Sequence, residues 1–155
     1  MNICHGNLWH HLGEYDAFCI TTNGMVKRNG DLVMGAGIAK QAKEQFHNLP
    51  RILGAFIRLR GNEPHIIDMK EWFGIDVPYL ISFPVKHHWK QKANLELIEI
   101  SANLLKDMID RQGFERVALP APGVGNGKRD WETEVKPILT EVFGDDDRID
   151  IWFYK

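Results

Sequence analysis

Gly123-Val-Gly-Asn-Gly127 and Gly35-Ala-Gly37 are the residues of this chain best suited to holding an anion. Closely spaced glycines let backbone N–H groups converge on one point and admit a guest where a Cβ would block it, so phosphate is the natural ligand. Each loop runs into a helix start, where orphan N–H donors and the positive dipole end add to the effect. Two such loops in a small chain point to a ligand with two phosphates. The common motif names do not fit. A Walker A loop ending at Gly127-Lys128 would need glycine at Pro122 and a hydroxyl at Arg129. A dinucleotide G-x-G-x-x-G would need glycine at Lys40 or at Lys128.

The second reactive stretch is Lys86-His-His-Trp-Lys-Gln-Lys92, which gathers three lysines, two histidines and a tryptophan in seven residues. A lysine desolvated beside a pocket can act as an unprotonated amine or as a cation that stabilises a leaving group. The formal net charge of −2 argues against a protein that coats nucleic acid, while the patch supplies local positive charge. Adjacent histidines on extended backbone point in opposite directions. His87, His88, His10 and His11 share no ligand spacing with a carboxylate or cysteine, so no metal site is expected. No cofactor is expected either.

The 155 residues suffice for one domain spanning 1–155, and no apolar run approaches the ~20 residues that cross a bilayer. The N-terminus lacks the basic flank and apolar core of a signal peptide, and two cysteines are too few for a disulfide framework. A cytoplasmic, monomeric protein with no membrane partner is expected.

Several elements must position these loops. Strands are expected at 1–4, 16–22, 65–69, 79–83, 116–119 and 149–154, the second covered on both faces and the last alternating strictly. Helices are expected from the 33–38 loop through Phe46, from Pro50 to Arg60, from Ala93 to Gln112 and from Trp131 to Phe143 with Asp130 as N-cap. Alternating strands and helices give an α/β fold with a mixed, largely parallel sheet whose ligand lies beyond the carboxyl ends of the strands.

With these pieces assembled, the sequence resembles the macrodomain family. The matching stretches are Gly6-Asn7-Leu8, Thr21-Thr-Asn-Gly24, Val33-Met-Gly-Ala-Gly-Ile-Ala39, Phe83-Pro-Val-Lys-His-His-Trp89 and Leu119-Pro-Ala-Pro-Gly-Val-Gly-Asn-Gly127 with Asp130-Trp131. They are most similar to the branch that removes ADP-ribose from thymidine in DNA and to its protein-deADP-ribosylating relatives, where a lysine lies in an F-P-x-K-x-H-W-like stretch.

The resemblance implies a three-layer α/β/α sandwich that binds ADP-ribose or an ADP-ribosylated substrate across the top of the sheet, with DNA reached through the Lys86–Lys92 patch. Asn7 stands where the family has an acidic adenine contact, followed by Leu8. Gly35, Ala36, Gly37 and Ile38 match the first phosphate–ribose loop, and Pro122, Gly123, Val124, Gly125, Asn126 and Gly127 match the second. Tyr154 or Trp152 is placed to stack on adenine. The distal-ribose asparagine is Asn23 by strand end or Asn29 by loop length, and the strand end favours Asn23 with an insertion over 25–32. Lys86 is the implied catalytic residue. The carboxylate that assists it in the protein-directed relatives falls at Gly127, which leaves three readings open: hydrolysis of an ADP-ribosyl linkage, dephosphorylation of ADP-ribose 1″-phosphate, and non-catalytic capture of ADP-ribose or another NAD-derived nucleotide.

Overall fold

A computed structural model describes residues 1–154. Six strands form one sheet: β1 (Asn2–His5), β2 (Ala17–Thr22), β3 (His65–Ile67), β4 (Tyr79–Pro84), β5 (Val117–Pro120) and β6 (Ile149–Phe153), in the order β1-β6-β5-β2-β4-β3. All neighbours pair in parallel except β3, which runs antiparallel to β4 along one edge. The helices are α1 (Gly37–Gln45), α2 (Leu49–Arg60), α3 (Met69–Phe73), α4 (Leu95–Gln112) and α5 (Lys136–Phe143).

The apolar residues of β2 divide between the two faces of the sheet, as the period of a strand requires. Ala17 and Cys19 join a core with Ile98, Leu105 and Ile109 of α4 and Leu139 of α5, whereas Phe18 and Ile20 join one with Ala42 of α1 and Leu49 and Leu53 of α2. The result is the three-layer α/β/α sandwich, with β2 covered on both faces.

Four local expectations are corrected. Met69 leaves the strand expected over 65–69 because Asp68 caps a helix there, its carboxylate accepting from the N–H groups of Lys70 and Glu71. Strand β6 does not alternate: β1 and β5 flank it and layers cover both faces, so Asp150 and Trp152 are buried along with Ile149 and Ile151. The long helix starts at Leu95, where the Asn94 side chain accepts from Leu97 N–H and makes Asn94 the N-cap. The first turn expected after Asp130 is π-helical over Trp131–Val135 before α5 begins, although Asp130 does cap it by accepting from Thr133 N–H at 2.8 Å.

Two packing relations govern the cleft side of the sheet. A 3-10 helix over Leu8–Glu14, which the sequence pattern does not announce, carries Trp9 onto Phe18 and Phe46. The 25–32 excursion is held against α2: a Cβ at Gly54 would collide with the Gly30 carbonyl oxygen, and Arg58 donates to the Lys27 carbonyl at 2.8 Å. Leu32 is fully buried at its end, so this insertion is anchored in the core. Among the described residues no helix is long and apolar enough to cross a membrane.

Candidate functional site

Because five strands run parallel, their carboxyl ends open on one side, and the loops leaving them enclose a cleft of about 1000 Å³. Gly6 and Leu8 follow β1, Phe153 and Tyr154 end or follow β6, the second glycine loop follows β5, Thr21 to Asn23 end or follow β2, and Val85, Lys86 and Trp89 follow β4. Adjacent strands lie about 4.8 Å apart, so five ends span roughly 19 Å, room for an extended dinucleotide with its diphosphate over the centre.

The centre is where the glycines sit. Gly123 and Gly127 are fixed by packing. A Cβ on Gly123 would lie 2.8 Å from Ile98 Cδ1, and one on Gly127 would lie 2.5 Å from the Gly123 carbonyl oxygen. No carboxylate-bearing side chain fits at 127 without moving the loop. Gly35 and Gly125 differ: neither has a positive φ and nothing lies within 4 Å of an added Cβ, so the fold demands glycine at neither place. What these two positions gain is bare backbone facing the cleft. Gly37 starts α1 with φ +57, and the Asn126 amide nitrogen lies 3.0 Å from where its Cβ would stand, which brings the two glycine loops together.

Lys86 closes one end. Its Nζ donates to the carbonyls of Trp89 at 3.3 Å and Asn126 at 3.2 Å, tying the β4 loop to the second glycine loop. Burial holds the Lys86 amine below the ordinary lysine range, and the neighbouring Lys128 lowers it further. Lys128 itself is held at φ +60 just after Gly127. Among the described residues that line the cleft, Lys86 is the only lysine, arginine, histidine, aspartate or glutamate.

Asn23 also lines the cleft, and its side chain donates to the Val33 carbonyl and accepts from Met25 N–H, both at 2.9 Å. It thereby holds both ends of the segment leading to Gly35. Asn29 lies off the cleft in an exposed turn, its oxygen accepting from Asp31 N–H. Asn7 is turned to a structural task as N-cap of the 3-10 helix, accepting from Trp9 N–H at 3.0 Å, while Leu8 and Ile38 contribute apolar wall. Pro122 is buried behind the second loop rather than on the wall. Tyr154 stands on the rim, 78% exposed. Trp152 is the fixed aromatic at that end: its Nε1 donates to the Tyr15 hydroxyl at 2.8 Å, which donates to Asp150 at 2.6 Å.

The sequence pattern passed over Trp9 and Gln41, and carried Thr22 and Trp89 within motifs without giving either a role. Trp9 Nε1 donates to Gln41 Oε1 at 2.8 Å on the cleft wall beside α1. Three tryptophans, Trp9, Trp89 and Trp152, therefore stand on the cleft wall. The signal for Trp89 was present in its basic neighbours; Trp9 had none, because a 3-10 turn carries no periodicity long enough to read.

No protein-family model matches the sequence. Among solved structures, the macrodomain of Mycobacterium tuberculosis DarG superposes with a TM-score of 0.78 at 28% identity, covering 98% of this chain and 96% of that one. The macrodomain of Thermus aquaticus DarG gives 0.77 at 26%, covering 99% and 97%. The chain belongs to the macrodomain family. Among curated relatives of this macrodomain, the DNA ADP-ribosyl glycohydrolase of Mycobacterium tuberculosis is 33% identical over 118 residues, 72% of this chain and 32% of that protein. The DNA ADP-ribosyl transferase–DNA ADP-ribosyl glycohydrolase fusion protein of Thermosipho africanus is 25% identical over 130 residues, 69% and 31%. The macrodomain thus spans about a third of the length of the curated relatives it matches.

Proposed function

We propose that this macrodomain, acting as a single domain, binds the ADP-ribosyl group of modified DNA and hydrolyses the bond that attaches it. The diphosphate lies over Gly35–Gly37 and Gly123–Gly127, adenine lies toward Leu8 and Trp152 with Tyr154 at the rim, and the distal ribose lies beside Asn23 and Lys86. Water adds to the anomeric carbon, the bond from that carbon to the acceptor breaks, and the acceptor leaves with a proton. The observation that carries this reading is the position of Lys86, the one charged side chain on the described wall, at the end of the cleft away from Trp152.

Both N–H donors of a neutral lysine amine can be taken up by the Trp89 and Asn126 carbonyls, which leaves its lone pair for a proton from water. The names of the curated relatives, which act on ADP-ribosylated DNA, support the choice of substrate. One observation favours a second reading, capture without turnover: the described wall carries no aspartate or glutamate to serve as a base.

Calorimetric titration with ADP-ribose, AMP and ATP, followed by product analysis on an ADP-ribosylated oligonucleotide, an ADP-ribosylated peptide and ADP-ribose 1″-phosphate, separates these readings. Tight ADP-ribose binding with release of ADP-ribose from the oligonucleotide is expected. Binding no stronger than that of AMP would remove the basis for the assignment, and binding without any product would establish the capture reading.

A further inference from the structure

We propose that Trp89 is the stacking platform for the nucleobase that carries the ADP-ribosyl group, with Lys90 beside it and Lys128 near Lys86 holding the flanking phosphates. The inference rests on the hydrolase reading and specifies its acceptor subsite: a base in single-stranded nucleic acid.

Three observations carry it. First, Trp89 is adjacent to the reactive end, since its own carbonyl accepts from Lys86 Nζ at 3.3 Å and its side chain lines the cleft. With the anomeric carbon at Lys86, as the hydrolase reading has it, the group attached to that carbon lies next to Trp89. Second, the indole is 48% exposed although it is large and apolar, with the His88 ring stacked beside it at 5.8 Å and an interplanar angle of 24°. A half-exposed aromatic plane costs solvation unless a second flat surface covers it. Third, the surroundings are cationic. Lys90 Nζ stands 5.3 Å from the indole centroid, where a base would lie, and its flexible stem can carry it to a phosphate when the base arrives. Lys90 and Lys128 make no ion pair among the described residues.

An aromatic plane with an unpaired cation over it is the kind of surface that single strands use, stacking for the bases and charge for the backbone. A flexible side chain of a modified protein would leave the indole uncovered. The duplex form presents its bases stacked on each other, so the subsite requires the modified base to be unpaired or turned out of the helix.

The test measures affinity and kcat/KM for a single-stranded oligonucleotide carrying one ADP-ribosylated base, beside affinity for free ADP-ribose, in wild type, Trp89→Ala and Trp89→Phe. In Trp89→Ala the preference for the oligonucleotide over free ADP-ribose should fall roughly 5- to 150-fold, the range that stacking on one aromatic represents, and Trp89→Phe should recover most of it. Lys90→Ala with Lys128→Ala should flatten the salt dependence of oligonucleotide affinity. An equal loss for both ligands, no loss for either, or an ADP-ribosylated peptide losing as much as the oligonucleotide would overturn the assignment of Trp89. Failure of wild type to bind ADP-ribose at all would instead remove the underlying reading, and the subsite with it.

Discussion

Lys86 and Asn126 join two loops that leave non-adjacent strands: the lysine amine after β4 donates to the backbone carbonyl of Asn126 after β5, at 3.2 Å. The Lys86 amine and the second glycine loop therefore share one connection, and Lys86→Ala removes both the amine and this tie. Turnover should fall by at least about a hundredfold, the lower end of what a positioned proton-transfer group contributes. ADP-ribose affinity, measured by calorimetry, should change far less. Unchanged turnover would exclude Lys86 from the chemistry.

The pH dependence follows from the direction of the Lys86 shift. Burial and Lys128 both lower its pKa, so the neutral amine forms at a lower pH than for a free lysine, and activity should rise with pH through that value and then level. Lys128→Ala removes one of the two causes. The rising limb should then move to higher pH, read from kcat profiles of the two proteins on one substrate. A limb that moves to lower pH, or stays in place, contradicts a role for the neutral amine.

Glycine pairs within the loops should separate stability from binding. Gly127→Asp forces a side chain into the Gly123 carbonyl and should cost about 3 kcal/mol, without creating a working base. Gly125→Ala meets nothing in the fold, so chemical denaturation should change by no more than about 0.5 kcal/mol. Loss of one backbone contact to phosphate should weaken ADP-ribose binding roughly 10- to 150-fold. Denaturation and calorimetry on the same two variants check both halves.

Asn23 and Asn29 are distinguished in the same way. Asn23→Ala leaves the Met25 N–H and Val33 carbonyl without their partner and should cost about 1–2 kcal/mol while lowering ADP-ribose affinity. Asn29→Ala, in an exposed turn away from the cleft, should stay within about 0.5 kcal/mol and bind as wild type.

Far from the cleft, Asp146 accepts from Arg148 Nε at 2.9 Å and Nη2 at 2.8 Å and from Lys106 at 3.3 Å, which holds its carboxyl well below the usual range. A depressed folded-state value contributes stability above the unfolded value of about 3.9 and loses it as pH falls toward the folded one. Asp146→Asn should therefore cost about 1.5–3 kcal/mol at pH 7, with the gap to wild type narrowing below about pH 4, as followed by urea denaturation.

The fold was legible because its signals are long or punctuated. Gly61 and Gly113 stop α2 and α4, Asp130 caps the helix it precedes, and the apolar run of β2 marks a strand covered twice. Where the reading slipped, a local cap at Asp68 or Asn94, or a tertiary neighbour at β6, decided. The strict alternation expected over 149–154 gives way because Tyr15, Arg116 and Asn2 supply partners for the buried Asp150 carboxylate from distant parts of the chain. The glycines of the site were visible by spacing. Which of them the fold requires, and which only a guest would require, depends on what stands within 4 Å of an absent Cβ, and no sequence pattern contains that.

The three tryptophans on the cleft wall give the molecule an optical readout of its own. Trp152 reports from the β6 end of the cleft, Trp9 from the wall beside α1 and Trp89 from the β4 end, while the remaining two of the chain's five, Trp72 and Trp131, lie off the wall as a constant background. Occupancy of each part of the cleft can thus be followed by intrinsic fluorescence, one Trp→Phe replacement at a time, without attaching a dye to ligand or protein.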